Sequence, residues 1–288
     1  MSRVAFALMW LLHFLPLRAI AAAGNALGSV LFWLIPERRR VTRINLEKCF
    51  PQMDRRERET LARAHFRALC RSFLDLALVW WAPRERIRRL VRIEGLGHLR
   101  GLGGAPAILF VPHFVGLDIG GSCLAGEVRL VSMYSRHKDP HLAERLIRGR
   151  GRLGDHKLIS RQQGVRAAIA GMREGRALYY LPDQDYGPRG ALFTPFFGVP
   201  AATMPGLSRI ARLVGARVLP CVTRMLPGGA GYVLTIEPPW ENFPTEDLAA
   251  DTRRMNEYIE RKALEMPEQY LWMHKRFKTR PAGEPRFY

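Results

Sequence analysis

Acidic residues are scarce in this chain of 288 residues: 26 Asp+Glu stand against 45 Lys+Arg, for a formal charge of +19. Cysteine is scarce too, with Cys49, Cys70, Cys123 and Cys221 alone. So few thiols exclude a disulfide scaffold, and their spacing lacks the pairs of a zinc site. There is no P-loop and no dinucleotide fingerprint, because the glycines of the 101–104 stretch precede an apolar run instead of following one. Long apolar runs are missing beyond the first 35 residues, which excludes a multi-spanning membrane protein. No internal repeat or low-complexity tract occurs. Hydrophobic residues are not lacking: at 48% of the chain they exclude disorder. The length suits one large domain or two small ones.

The positive charge is uneven. Residues 1–36 carry Arg3 and Arg18 and no acid, whereas residues 37–92 carry 16 Lys+Arg against 7 Asp+Glu. The densest basic block thus follows directly on the most apolar stretch, Val4–Ile35, which His13, Pro16 and Arg18 interrupt. That stretch is long for a cleaved signal peptide and lacks a clear small-x-small site. An arginine at a helix centre costs about 2.5–3.5 kcal/mol on insertion scales. Two arrangements remain, a tilted or kinked span and a helical pair lying in the interface, with a buried soluble helix as the bland alternative. We read residues 1–36 as a membrane anchor. Arg38, Arg39, Arg40 and Arg43 then face the cytoplasm and anionic lipid.

Residues 37–92 form a basic amphipathic segment. Its 55–81 stretch is helical, with Leu61, Ala64, Ala68, Leu69, Phe73, Leu76 and Trp80 at helical spacing and Pro83 as its stop. Residues 93–288 alternate short apolar runs with helical stretches. Strands are predicted at 107–111, 128–134, 157–159, 177–181, 217–223 and 232–237. Helices are predicted at 117–125, 141–150, 162–173, 204–213 and 247–264. The fold class is therefore α/β, a central mostly parallel sheet flanked by helices, with an N-terminal anchoring helical segment. Ligands of such sheets bind beyond the carboxyl ends of the strands.

The run AILFVPHFVGLD carries the most chemistry. A buried strand stops at Pro112; His113, Gly116 and Asp118 follow. Positions five apart on a helix point about 140° away from each other. His113 and Asp118 therefore meet only if the histidine sits in the turn and the aspartate in the first helical turn. Such a turn puts an imidazole at a strand's carboxyl end with a carboxylate to orient it, the layout of a general base for a hydroxyl. Backbone N–H groups at the helix start face a developing oxyanion. A structural histidine is the plain alternative for an isolated His-x4-Asp.

His113-x4-Asp118 resembles the signature of the glycerolipid acyltransferase superfamily. More narrowly, the chain resembles the late (secondary) lipid A biosynthesis acyltransferases of Gram-negative bacteria. INLEKCFP at 44–51, YLPDQDYGPRG at 180–190, PFFGVPAAT at 195–203 and YLWMHKRFKTRP at 270–281 carry the likeness over nearly the whole chain. Some members have Glu where this chain has Asp118. The resemblance implies transfer of a fatty acyl chain from acyl carrier protein to a hydroxyl of an acyl chain on a lipid A precursor. It places the reaction at the cytoplasmic face of the inner membrane, with no covalent acyl-enzyme, metal or other cofactor. It makes His113 the base and Asp118 its partner.

The same resemblance gives Asp183, Gln184 and Asp185, with Arg189 close behind, a substrate-positioning role; a solvated acidic turn is the alternative. Arg161 resembles a phosphate-binding basic position, and a plain surface arginine is equally consistent. Phe193, Phe196 and Phe197 either line an acyl tunnel or pack in the core. His274, Lys275 and Arg276, beside Trp272, either face headgroups, lipid phosphates and carrier protein or form a solvated tail. His137 and His141 are spaced i, i+4, but Pro140 lies between them and no third ligand is evident. Cys123 is read as a core residue ahead of a nucleophile.

Two competing functions share parts of this pattern. A non-catalytic membrane- or nucleic-acid-binding protein explains the charge but not the His-Asp layout, and no nucleic-acid module is recognisable. A glycerol-phosphate or lysophospholipid acyltransferase shares the dyad but leaves INLEKCFP and YLWMHKRFK unexplained. The acidic partners expected are anionic lipid, lipid A precursor phosphates and acyl carrier protein, and not nucleic acid.

Overall fold

The computed structural model describes residues 3–135 and 139–288. The chain begins with five helices: α1 (Arg3–Leu12), α2 (Leu17–Leu34), α3 (Pro36–Cys49), α4 (Arg55–Trp81) and α5 (Arg84–Leu90). Prolines punctuate them, because Pro lacks the N–H a helix interior needs but suits its start. Pro16 and Pro83 precede α2 and α5, and Pro36 opens α3. α4 starts at a reciprocal cap, in which Asp54 accepts from Glu57 N and Glu57 accepts from Asp54 N.

The remainder alternates as predicted. It runs β1 (Val91–Glu94), α6 (Leu96–Arg100), β2 (Ala107–Phe110), α7 (Leu117–Leu124), β3 (Leu130–Tyr134), α8 (Pro140–Gly151), β4 (His156–Ser160), α9 (Gly164–Arg173) and β5 (Ala177–Tyr180). A hairpin of β6 (Leu192–Phe196) and β7 (Val199–Thr203) follows, then α10 (Gly206–Val214), β8 (Arg217–Met225), β9 (Tyr232–Ile236) and α11 (Leu248–Glu265). Seven strands form one sheet in the order β1-β9-β8-β2-β5-β3-β4, parallel throughout except between β8 and β9.

β2 lies at the centre and is buried at every residue. A continuous apolar run is what a parallel strand covered on both faces requires. Alternate residues serve the two faces. Leu109, Tyr179 and Leu219 pack with the α4 and α7 side, whereas Ile108, Leu178 and Val218 pack with residues of α9, α10 and α11.

The edge strand β1, the short helix α6 and the β6–β7 hairpin escape the sequence reading. β1 is four residues long and pairs with β9 from Val91 onward. The expected boundary at residue 92 therefore falls inside a strand of the sheet.

α2 has 18 residues and a mean hydropathy of 1.4, long and apolar enough to cross a membrane. It nevertheless lies along α4. A Cβ on Gly24 would sit 2.5 Å from Arg71 Cα, and one on Gly28 2.5 Å from Arg67 Cα. Only glycine permits that approach. Val4, Leu8, Trp10, Leu11, Phe14, Val30, Trp33 and Leu34 remain exposed along α1, the turn after it and α2.

Candidate active site

His113 stands just past the carboxyl end of β2, in a loop stitched from both sides. Val111 N donates to Tyr180 O at 2.8 Å, tying the strand exit to β5. Further on, Val115 N donates to Gln269 O and Leu271 N donates to His113 O, while Phe114 bridges to Tyr270. The chain then turns into α7 at Gly116, where a Cβ would press on Thr223 at 2.9 Å.

The imidazole is oriented by Asp183 rather than Asp118. Nδ1 of His113 lies 2.5 Å from Asp183 Oδ1, and the His113 backbone N–H donates to Asp183 Oδ2 at 2.9 Å. Asp183 is 1% exposed. Its burial works to raise the carboxyl pKa, but the charge and hydrogen bonds of His113, with the Arg276 guanidinium, outweigh it and hold the group below the ordinary range. Asp183 is thus an anion whose two oxygens fix one ring. With Nδ1–H donated to it, Nε2 is left as the basic nitrogen.

Asp118 occupies the first turn of α7, as predicted, but faces α8: Arg150 Nε donates to its Oδ1 at 2.7 Å. The expectation that Asp118 orients His113 is corrected accordingly. The two residues start in different structures, a clamped loop and a helix, and Asp118 finds its cation across the cavity. Asp118 raises the Arg150 pKa and keeps that guanidinium charged.

His113, Asp118 and Arg150 all line a cavity of about 700 Å³. Much of its wall is apolar, including Leu69, Leu117, Met133, Leu146 and Ile147. Gln184 belongs to the lining, and so does Arg161, whose guanidinium lies 4.0 Å over the Tyr186 ring. Arg189 is exposed in the same loop as Gln184.

Other expected substrate residues stand elsewhere. Asp185 is buried and accepts from Gly187 N, Thr279 N and Thr279 Oγ1, so it fixes the loop. His274 Nε2 accepts from Asp185 N at 3.0 Å, and burial pushes its pKa down to about 4, which leaves it neutral. Arg276 is 3% exposed and donates to Ala202 O and Thr203 Oγ1, bracing β7 instead of meeting headgroups. Lys275 is partly exposed and pairs with Glu37 at 3.0 Å. Phe196 is fully buried among Tyr270 and Phe277, and Phe197 packs on Phe50 and Trp272. These two rings are core, not tunnel, because Arg253 and Asn256 of α11 draw the hairpin inward through Pro195 O. Phe193 stays exposed on the hairpin.

Cys123 is buried, and its thiol is pushed up to about 11 by that burial, with Glu127 adding to it. It is not a thiolate nucleophile at neutral pH. His137 lies outside the described residues, so the His137/His141 pair is not placed.

The bacterial lipid A biosynthesis acyltransferase model matches residues 3–279. This chain belongs to that family. It is 33% identical over 283 residues to the lipid A biosynthesis palmitoleoyltransferase of Escherichia coli (strain K12), covering 97% of this chain and 92% of the relative. The lauroyltransferase of the same organism is 32% identical over the same shares. Its myristoyltransferase is 32% identical over 251 residues, 85% of this chain and 77% of the relative. Among solved structures, a 1-acyl-sn-glycerophosphate acyltransferase from Thermotoga maritima overlaps 87% of this chain and 99% of its own, at 16% identity and a TM-score of 0.40.

In this lipid A acyltransferase, Arg150 and the Nδ1 role of Asp183 are what the sequence reading missed. Asp183 was singled out only as a positioning residue. Seventy positions separate it from His113, and no local spacing signals a pair formed between the ends of β2 and β5. Their parallel register does: Phe110 lies opposite Tyr180. Once those strands are neighbours, the third residue after each one is brought close.

Proposed function

We propose that the chain takes a fatty acyl group from acyl carrier protein and places it on a hydroxyl of a lipid A precursor, with His113 as general base. The observation that carries this reading is the Asp183-held imidazole at the apolar cavity. His113 Nε2 takes the hydroxyl proton as the oxygen attacks the thioester carbonyl. Asp183 steadies the imidazolium that forms. When the tetrahedral intermediate collapses, the carbon–sulfur bond breaks and the departing thiolate takes the proton back. An ester and a free carrier thiol result, and no acyl-enzyme forms.

Asp118 acts through Arg150, holding that guanidinium at the cavity wall. Val115 N and Leu117 N are already donated to Gln269 O and Phe114 O, so the helix start offers the oxyanion fewer N–H groups than its sequence implies. Arg161 and Arg189, beside Gln184, supply charge for precursor phosphate or the acidic carrier. Replacing His113 with Ala should abolish transfer from acyl carrier protein while leaving the protein folded, with a lowered unfolding temperature because Asp183 loses its partner. Turnover within tenfold of the parent in that variant would remove His113 as the base. Lysophosphatidic acid offered as acceptor separates this reading from phospholipid acylation.

The same proposal places the enzyme on the cytoplasmic side of the inner membrane, with α1 and α2 lying in the interface. The Gly24/Gly28 approach to α4 supports a docked helix over a free span. At its carboxyl end, Arg39, Arg43 and Arg63 stand 5.0–5.6 Å over the rings of Phe32 and Trp33. An exposed indole ringed by guanidinium groups suits an anionic headgroup layer.

A further inference from the structure

The cavity wall changes character with depth. Apolar side chains and the Asp118–Arg150 pair line it, and toward the amino ends of the strands Ser132 on β3 and His156 on β4 enter the lining, as does Ser122 of α7. The strand register gives the depth. Ser132 is level with Tyr179, which is level with Leu109. His156 is level with Leu130, two residues further down β3. Counted along the strands, their backbone positions are about 13 and 20 Å back from the level of His113.

The two side chains are committed to each other: Ser132 Oγ and His156 Nε2 are 2.8 Å apart. Burial, with the Arg150 charge beside it, lowers the His156 pKa to about 4, so the ring is neutral at working pH. Ser122 is 1% exposed, and its Oγ has no hydrogen-bond partner among the described residues. An alkyl chain running down the apolar wall therefore ends on polar atoms. Pushing a further methylene against them gains no apolar burial and disturbs a part-buried hydrogen bond. A chain that stops short leaves the lower wall uncovered.

We propose that the Ser132–His156 pair is the floor of the acyl slot and sets the length of chain this enzyme transfers. This rests on the acyl-transfer reading above. Both residues are specificity determinants remote from the reacting atoms.

The test uses the full chain, a lipid A precursor and acyl carrier protein loaded with saturated chains that differ by two carbons. His156→Ala deepens the slot, and Ser132→Leu raises the floor from the neighbouring strand. The first should move the preferred donor up by two carbons or more, and the second should move it down. In each case kcat/KM for the parent's preferred donor, relative to the new one, changes about tenfold. An unmoved length profile in both active variants overturns the proposal. So does a shift in the same direction in both, or an equal loss with every donor, because a floor acts on length alone. Should His156→Ala fail to fold, Ser132→Leu decides by itself. A parent enzyme inactive with every donor would strike the acyl-transfer reading itself, whereas an active parent with unmoved variants strikes the floor alone.

Discussion

The loop at the end of β2 and the layer formed by α1, α2 and α4 solve opposite problems. At the loop, a few polar groups are buried and each is committed. Both Asp183 oxygens serve His113, and backbone bonds from Tyr180, Gln269 and Leu271 hold the chain around it. In the helical layer the close fit is between glycines and backbone; Arg71 is buried there against Asp75, but Arg18, Arg67 and large apolar side chains stay exposed. The first region gains precision, which proton transfer needs. The second leaves apolar side chains exposed, the surface that the proposed anchor lays on lipid. The two are joined by α4: Gly24 and Gly28 press on one side of it, while Ser72 donates to Val115 O on the other.

The sharpest way to break the comparison is at Asp183. Asp183→Asn keeps the shape but removes the anion that holds the ring, and acyl transfer should fall about 10³–10⁴-fold with vesicle binding unaltered. A loss below tenfold would show that the carboxylate does not orient the base. Next in size is Gly24→Leu, whose side chain has no room against Arg71. It should cost about 3 kcal/mol or more in denaturant unfolding by overpacking and loosen α2 from α4. Unchanged stability would mean the seam is not a close contact.

A pH effect comes third. Burial depresses His65, His156 and His274 to about 4 each. Their folded values lie below the unfolded one, near 6.5, so the unfolded chain binds protons first. Stability should therefore drop as pH falls from about 6.5 toward 4, by about 3 kcal/mol per fully buried histidine. Burial works against this at Asp75, whose carboxyl it raises to about 6, so that group becomes less costly in acid. Replacing His65, which is fully buried and away from the cavity, with Gln should flatten the acid limb. An acid limb as steep as the parent's would remove His65 from it.

The smallest effect belongs to the arginines over Phe32 and Trp33. Arg39→Gln with Arg63→Gln should weaken binding to vesicles rich in phosphatidylglycerol by about 1 kcal/mol per residue, with turnover on detergent-dispersed substrate unaltered. The deficit should vanish on neutral phosphatidylcholine vesicles and be insensitive to free inorganic phosphate. Equal losses on both vesicle types would show that the arginines serve α2 packing and not headgroups.

Long, strongly patterned elements were legible in the sequence. α4 matches the predicted 55–81 stretch, and all six predicted strands occur, because a buried parallel sheet writes itself as apolar runs. β1 was not, since four residues with alternating exposure leave too little pattern. His113 was found from its strand exit, and Asp118 was placed correctly in its helix turn but with the wrong partner. Helical spacing says which way a side chain can point, not which charge across a cavity will meet it; Arg150 decided that. Arg276 and His274 read as basic and exposed because charge is usually solvated. The burial of Arg276 and the half-burial of His274 depend on partners in β7 and the Asp185 loop that only the folded sheet brings near.

The backbone bonds from Gln269 and Leu271 to the His113 loop have a consequence in time. During synthesis α1 and α2 emerge first, while the residues that close the loop follow His113 by on the order of ten seconds at ordinary rates of elongation. Until they arrive, Leu271 N and Gln269 O are missing from the scaffold that aims the imidazole. Under the function proposed above, the nascent enzyme reaches its membrane before it can use a thioester, so an unfinished chain has no means of squandering one.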